Sequence, residues 1–252
     1  PSVTRELQNH DVRVLTYGIQ KNADVTAQIF EQSGGVTTLL LTHQDSTTVM
    51  ETTLCGTAMA SNHAAAALVG LLLAEPIERI ADSLSQLRTI PGRSQRLSEP
   101  GKATVVIEAG GTPARAVAAM RPCRDMKADG RLWCVLALDA HADTETLSRY
   151  GTQLERFSDH AIITATEPTR TRFLEASHAV LDGVKKCASF RLVANRQRAI
   201  EWAVSEAAPQ DTILIITNER QMTAHQQRSD LANIAAWVES ARLDATHSDT
   251  QA

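Results

Sequence analysis

Residues 54–97 read LCGTAMASNHAAAALVGLLLAEPIERIADSLSQLRTIPGRSQRL, and the chain changes character across them. A polar Ser61-Asn62-His63 step leads into an apolar run, residues 64–74, broken only by Gly70. Ser61 or Asn62 can cap a helix there, because a short polar side chain accepts from the free N–H groups of a first turn. The run is nearly all apolar, so it reads as a helix buried all round. Pro76 follows at the first turn of a second helix, where its missing N–H costs nothing. Ile77, Ile80, Ala81, Leu84 and Leu87 then line one face at helical spacing. Pro91-Gly92 ends that helix, and Arg93 opens a new strand. The stretch reads as a hinge between two units.

Upstream of it the pattern is β-rich. Residues 12–17, 25–30, 36–42 and 47–54 are short β-branched or alternating runs, punctuated by Gly18 and Gly34-Gly35. They predict a β meander, too small to be stable alone and therefore packed on the two helices. Downstream the pattern is strand–helix alternation. Residues 103–108 form a continuous apolar run of the kind buried on both faces of a parallel sheet. Further strands are expected at 131–138, 161–164, 190–193 and 212–217, and helices at 113–127, 145–157, 172–183, 196–207 and 230–243. Short loops between them imply right-handed crossovers and a Rossmann-like, mostly parallel sheet with flanking helices. The fold class is therefore α/β, with residues 1–90 as the small β meander plus helices, 91–243 as the Rossmann-like domain and 244–252 as a flexible tail.

Composition narrows the function. A net charge of −4 argues against a nucleic-acid or anionic-membrane partner, since both need a dense basic face. No apolar run reaches the ~18 residues of a membrane span, and no signal peptide is legible. Cys55, Cys123, Cys134 and Cys187 are far apart and read as buried thiols of a reducing compartment, so the chain is expected in the cytoplasm. No G-x-S-x-G, H-E-x-x-H or C-x-x-C occurs, and Gly110-Gly111-Thr112-Pro113 does not meet G-x-G-x-x-G. Asp139, His141 and Asp143 alternate along a loop and could share a face toward a metal; the same residues are common on solvated loops, and no metal site is assigned. The start at Pro1 suggests a piece cut from a longer protein.

Five short motifs follow one another across nearly the whole chain. They are Tyr17-Gly18-Ile19 with Ala23-Asp24-Val25, Gly56 with Asn62 and the alanines after it, Pro91-Gly92-Arg93, Val105-Val106-Ile107-Glu108 with Thr112-Pro113, and the strand Gly130-Arg131-Leu132-Trp133-Cys134-Val135. In order and spacing they resemble the Mur ligases, most closely the MurE type that adds the third residue of the peptidoglycan stem peptide. The resemblance implies the end of a central ligase domain followed by the C-terminal domain. It implies descent from an ATP- and Mg²⁺-dependent enzyme that activates a carboxylate as an acyl phosphate for attack by an amine. It also implies nucleotide contacts at Asn62, Arg93 and Glu108, and substrate contacts at Glu167, Pro168 and Arg170. The partners implied are a nucleotide or peptide precursor, held through upstream domains.

The departures from that family pattern are extensive. The family's phosphate loop, G-x-x-G-K-S/T, is absent, and with it the backbone cradle and lysine that hold phosphate. Met59 stands where the family has the first Asn of its helix-start motif. Gly111 and Ala114 replace a His and an Asp, Thr169 replaces a carboxylate-binding Arg, and residues 217–221 keep nothing of the last motif. In the 139–145 loop, acids and a His replace glycines, Arg and Lys, and only Asp143 matches. No catalytic residue is assigned. The expectation is a Mur-ligase-type protein inactive as this chain alone. A catalytically silent binding or scaffolding module and another Rossmann-class nucleotide-binding domain remain as alternatives. Asn62 as a helix cap and Arg93 as a surface arginine are the plain structural alternatives at those positions.

Overall fold

A computed structural model describes residues 14–20, 22–33, 35–54, 56–126, 129–139, 142–166, 170–218 and 222–249. The chain divides into two compact units at Arg88/Thr89.

The first unit holds strands β1 (Tyr17–Gly18), β2 (Val25–Ser33), β3 (Val36–His43) and β4 (Ser46–Thr52), then helices α1 (Thr57–Leu72) and α2 (Ile77–Ser85). The strands lie in the order β1-β2-β3-β4. β2, β3 and β4 pair antiparallel, as a meander should, but β1 is only two residues long and runs parallel to β2. The strand expected over 12–17 is thus reduced to its end, with residues 12–13 outside the described set. Period-two alternation buries Val25, Ala27, Leu39, Leu41 and Met50 on one face. Ala60, Ala64 and Ala67 of α1 and Ile77, Ile80 and Ala81 of α2 cover that face.

Two expectations for α1 are corrected. The helix starts at Thr57 behind Gly56, whose carbonyl accepts from Met59 N and Ala60 N, so Ser61 and Asn62 lie inside it and neither is a cap. It is also not buried all round. Its alanines face the sheet, while Val69, Leu72 and the following Leu73 are 57%, 61% and 74% exposed. His63 does face the core. Its Nδ1 donates to Met59 O at 2.9 Å, Nε2 has no hydrogen-bond partner among the described residues, and burial holds its pKa below the ordinary value.

The second unit opens with β5 (Gln95–Leu97) and β6 (Thr104–Gly110). It continues with α3 (Pro113–Met126), β7 (Leu132–Leu138), α4 (Thr144–Phe157), β8 (His160–Ala165) and α5 (Arg170–Leu181). It closes with β9 (Phe190–Leu192), α6 (Arg196–Glu206), β10 (Thr212–Asn218) and α7 (Ala224–Asp249). The sheet order is β5-β6-β10-β7-β8-β9; all neighbours are parallel except the edge strand β5. This is the expected α/β class. The four longer strands are buried on both faces. Leu132, Cys134 and Leu136 of β7 point into one layer with Met120, Leu154 and Val180. Trp133 and Val135 point into the other with Ile200, Ile213 and Ile234. Cys134 is fully buried, which raises its thiol pKa far above the usual range and makes it an inert core residue. α7 starts six residues earlier than the apolar pattern suggests and runs past Leu243 through Asp249.

Gly130, just before β7, is pressed against the turn that precedes β10. A Cβ there would stand 2.0 Å from the Gln210 carbonyl oxygen, a backbone atom that cannot swing aside. Gly130→Ala is expected to cost about 1–3 kcal/mol in urea unfolding. Gly111→Ala, with nothing within 4 Å of the new Cβ, is expected to stay within about 0.5 kcal/mol. His63 gives a pH prediction. It is neutral in the fold, whereas the unfolded chain takes up a proton as pH falls through the ordinary value of 6.5, so stability is full above that value and declines below it. Wild type should lose stability between about pH 7 and 5.5, and His63→Leu should lose less over the same interval. Equal slopes would assign the titration to another group.

Candidate functional site

The Pro91-Gly92-Arg93 step is fixed by backbone geometry. Gly92 sits at φ +67, and a Cβ there would lie 3.0 Å from that of Ala109 and 3.1 Å from Leu231, so the position requires glycine. Its carbonyl accepts from Ala109 N at 2.7 Å, which docks the step against the end of β6. Glu108 sits at the same strand end, 8% exposed. Its Oε2 accepts from Ser94 N at 2.7 Å and Ser94 Oγ at 3.2 Å, and its Oε1 lies 3.8 Å from the Arg93 guanidinium. Arg93 also donates to Ala109 O at 2.8 Å. Two of the three nucleotide-contact candidates are thus brought together and engage each other. Ser94, a non-glycine residue at φ +47, is the third member of this clamp; only its place beside the Pro-Gly-Arg step could have flagged it.

Asn62 lies in the other unit. It is exposed on the second turn of α1, with Nδ2 3.7 Å from Met59 Sδ. Glu167 and Pro168 lie outside the described residues, and Arg170 is described only as the first residue of α5.

Parallel α/β sheets present ligands at the carboxyl ends of their strands, where neighbouring loops diverge. Here β6, β10 and β7 end around a narrow crevice lined by Gly111, Asp139, Ala142, Tyr150, Thr217 and Asn218, with room for about one water molecule. The Thr217 hydroxyl is buried and has no hydrogen-bond partner among the described residues. The sequence marks Thr217 and Asn218 only as a strand end and as the start of the stretch where the family's last motif is not kept. Asp143, the one matching residue of its loop, is the N-cap of α4. It accepts from Thr146 N at 2.7 Å and Thr146 Oγ1 at 2.8 Å, and these bonds lower its pKa. Of the metal alternative, Asp143 is thereby engaged and His141 lies outside the described residues. Among the described residues no three His, Cys, Asp or Glu come close enough to hold a metal ion.

With this geometry in view, the profile of the "Mur ligase, glutamate ligase domain" matches residues 92–218, half of the chain. The chain belongs to the Mur ligase family. It is 28% identical over 244 residues to the UDP-N-acetylmuramoyl-L-alanyl-D-glutamate–2,6-diaminopimelate ligase of Acidovorax sp. (strain JS42), covering 92% of this chain and 48% of that relative. To the enzyme of the same name from Bacillus velezensis it is 28% identical over 202 residues, or 80% of this chain and 41% of the relative. The chain therefore spans about half the length of the curated relatives it matches. In fold it superposes on the MurF ligase of Thermotoga maritima, solved in complex with ADP, with a TM-score of 0.69 at 15% identity, covering 95% of this chain and 51% of that one.

The family's nucleotide can be tested against the residues present. The crevice has no room for it, its described lining offers the Asp139 carboxylate and no cation, and the Arg93 guanidinium is engaged with Ala109 O and Glu108. These residues do not fit a polyphosphate. The clamp makes a prediction about which member holds the step. Glu108→Gln weakens two hydrogen bonds to a buried charge and should cost about 1–2 kcal/mol in urea unfolding. Arg93→Ala, with its side chain 38% exposed, should cost less than about 1 kcal/mol. A larger loss for Arg93 than for Glu108 would reverse the assignment.

Proposed function

We propose that this chain is the C-terminal portion of a Mur-type, MurE-like ATP-dependent amide ligase, comprising the end of the central domain and the C-terminal domain, and that by itself it is silent. The observation that carries the proposal is the crevice at the carboxyl ends of β6, β10 and β7. It stands where this fold presents ligands, yet among the described residues it is lined by an acid and neutral groups. An acyl phosphate gathers negative charge in its transition state, so a site that makes it must present cations or aligned donors there. The sequence adds a second support, since it contains no G-x-x-G-K-S/T to cradle the phosphates. In this reading Arg93 and Glu108 shape the entry to the C-terminal domain. Asn62, Glu167, Pro168 and Arg170 remain the positions through which nucleotide or precursor would be met if upstream residues complete the site. ATP and Mg²⁺ would then be cofactors of the whole parent protein, working in the cytoplasm, and no step of the chemistry is assigned to this chain.

Isothermal titration of the chain with ATP–Mg²⁺ is expected to show no saturable binding in the micromolar range. Micromolar binding would overturn the silent reading. The ligase part is tested separately. The parent gene should carry G-x-x-G-K-S/T upstream of Pro1, and its full-length product should release ADP only when an amino acid and a precursor carboxylate are both supplied. A parent without that motif would leave a binding or scaffolding module as the better description.

A further inference from the structure

The largest aromatic assembly of the second unit lies at the opposite end of the sheet from the crevice. At the amino-terminal ends of β7 and β8, the Trp133 ring stacks on His160 with centroids 4.1 Å apart and meets the edge of Trp202 from α6 at 5.9 Å. These rings wall a cavity of about 250 Å³, rimmed by Arg131, Arg191, Ser189 and Glu206. Trp133 is 6% exposed and its indole N–H donates to Asp211 at 3.0 Å, so that ring is fully accounted for by the fold.

The other groups of the cavity are not. The Trp202 indole N–H, the Ser189 hydroxyl and the Arg131 guanidinium have no hydrogen-bond acceptor among the described residues. Arg191 uses one terminal nitrogen on the carbonyls of Ala188 and Phe190 and leaves the rest of its fork open. His160 is held toward its neutral form by burial and by Arg131, so it adds a flat uncharged wall. Asp159 and Asp211 oppose the two arginines at the His160 ring, but their carboxylates are taken up by the Leu132 and Arg131 backbone N–H groups and the Trp133 indole, so the charged groups that face the cavity are the two guanidiniums and Glu206. Planar walls favour a planar ring, because stacked and edge-on aromatic contacts add to area burial. Arginine forks favour a carboxylate, which they bind bidentately. The volume lies just below the 300–1,000 Å³ of drug-sized pockets, which restricts the occupant to one or two rings.

We propose that the cavity between β7, β8, β9 and α6 binds a small planar aromatic carboxylate, with its ring against Trp202 and its carboxylate on Arg131 and Arg191. The probe is indole-3-carboxylate, with indole-3-carboxamide as the uncharged control. Titration of the chain by calorimetry should give saturable binding with Kd below about 1 mM, at least tenfold tighter than the carboxamide, as loss of a charged partner requires. In nitrogen-proton spectra, the indole signals of Trp133 and Trp202 should move while that of Trp237, which lies outside the cavity, stays. Arg131→Ala with Arg191→Ala, both exposed and safe for folding, should weaken binding at least tenfold. Arg79→Ala in the other unit should leave it unchanged. Absence of saturable binding at about 5 mM, equal affinity for the carboxamide, an unchanged double variant, or a shift confined to Trp237 would each overturn the proposal.

Discussion

Asp211 is the group on which the parallel sheet depends. It stands one residue before β10, 5% exposed, and collects three donors from different parts of the chain. Arg131 N lies 2.7 Å away, the Trp133 indole N–H 3.0 Å, and Ala208 N 3.0 Å. The first two belong to β7 and its approach, so this carboxylate ties the last strand of the chain to a strand formed some eighty residues earlier. A buried carboxylate holds its charge only if donors surround it. Ala208 N is a local donor, but the two from β7 and its approach reach the carboxylate only when β10 lies beside β7. Gly130 makes the approach sterically possible, since any Cβ there would strike the Gln210 carbonyl.

Once β10 is in place, the two ends of the sheet acquire separate duties. Its core residues, from Ile213 to Ile216, are buried on both faces and bind both helical layers. Burial of this kind is worth roughly 1.5–3 kcal/mol for each large aliphatic side chain. The loops at the strand tips add little to that total. A scaffold held by its strand centres tolerates wide change at its tips, and this explains how the family's fold coexists here with a crevice of Gly111, Asp139, Thr217 and Asn218.

This division also decided what was legible in the sequence. β6, β7, β8 and β10 were readable because strands buried on both faces are continuous apolar runs, and their bounds fall within a residue or two of expectation. The insertion of β10 was not readable, since it rests on contacts between residues far apart in the chain. Asn62 was misplaced as a cap because Gly56 starts α1 a turn and a half earlier, through a backbone contact that side-chain chemistry does not announce. The exposed Val69, Leu72 and Leu73 could not be foreseen, because an alanine-rich helix shows no strong apolar face. At the candidate site, Arg93 and Glu108 were named by resemblance. Their mutual engagement was hidden, because it depends on the left-handed turn at Ser94 meeting β6 fourteen residues further along the chain.

Three arginines of the second unit are spent on bracing its scaffold. Arg196 pairs with Asp230 and lies over the Trp237 ring, fastening α6 to α7. Arg242 donates to the carbonyls of Leu97 and Ala103 and pairs with Glu99, closing the lower edge of β5 and β6. Arg93 holds Ala109 O at the end of β6. Each of these guanidiniums is committed to a carbonyl or a carboxylate of the scaffold, and the buried bonds of Arg196 and Arg242 cost several kcal/mol to break from one side, those of the more exposed Arg93 less. None can be turned toward the crevice without loosening the element it holds. A positive field at the carboxyl end of the sheet is therefore not to be had by rearranging these three arginines, which brace the domain.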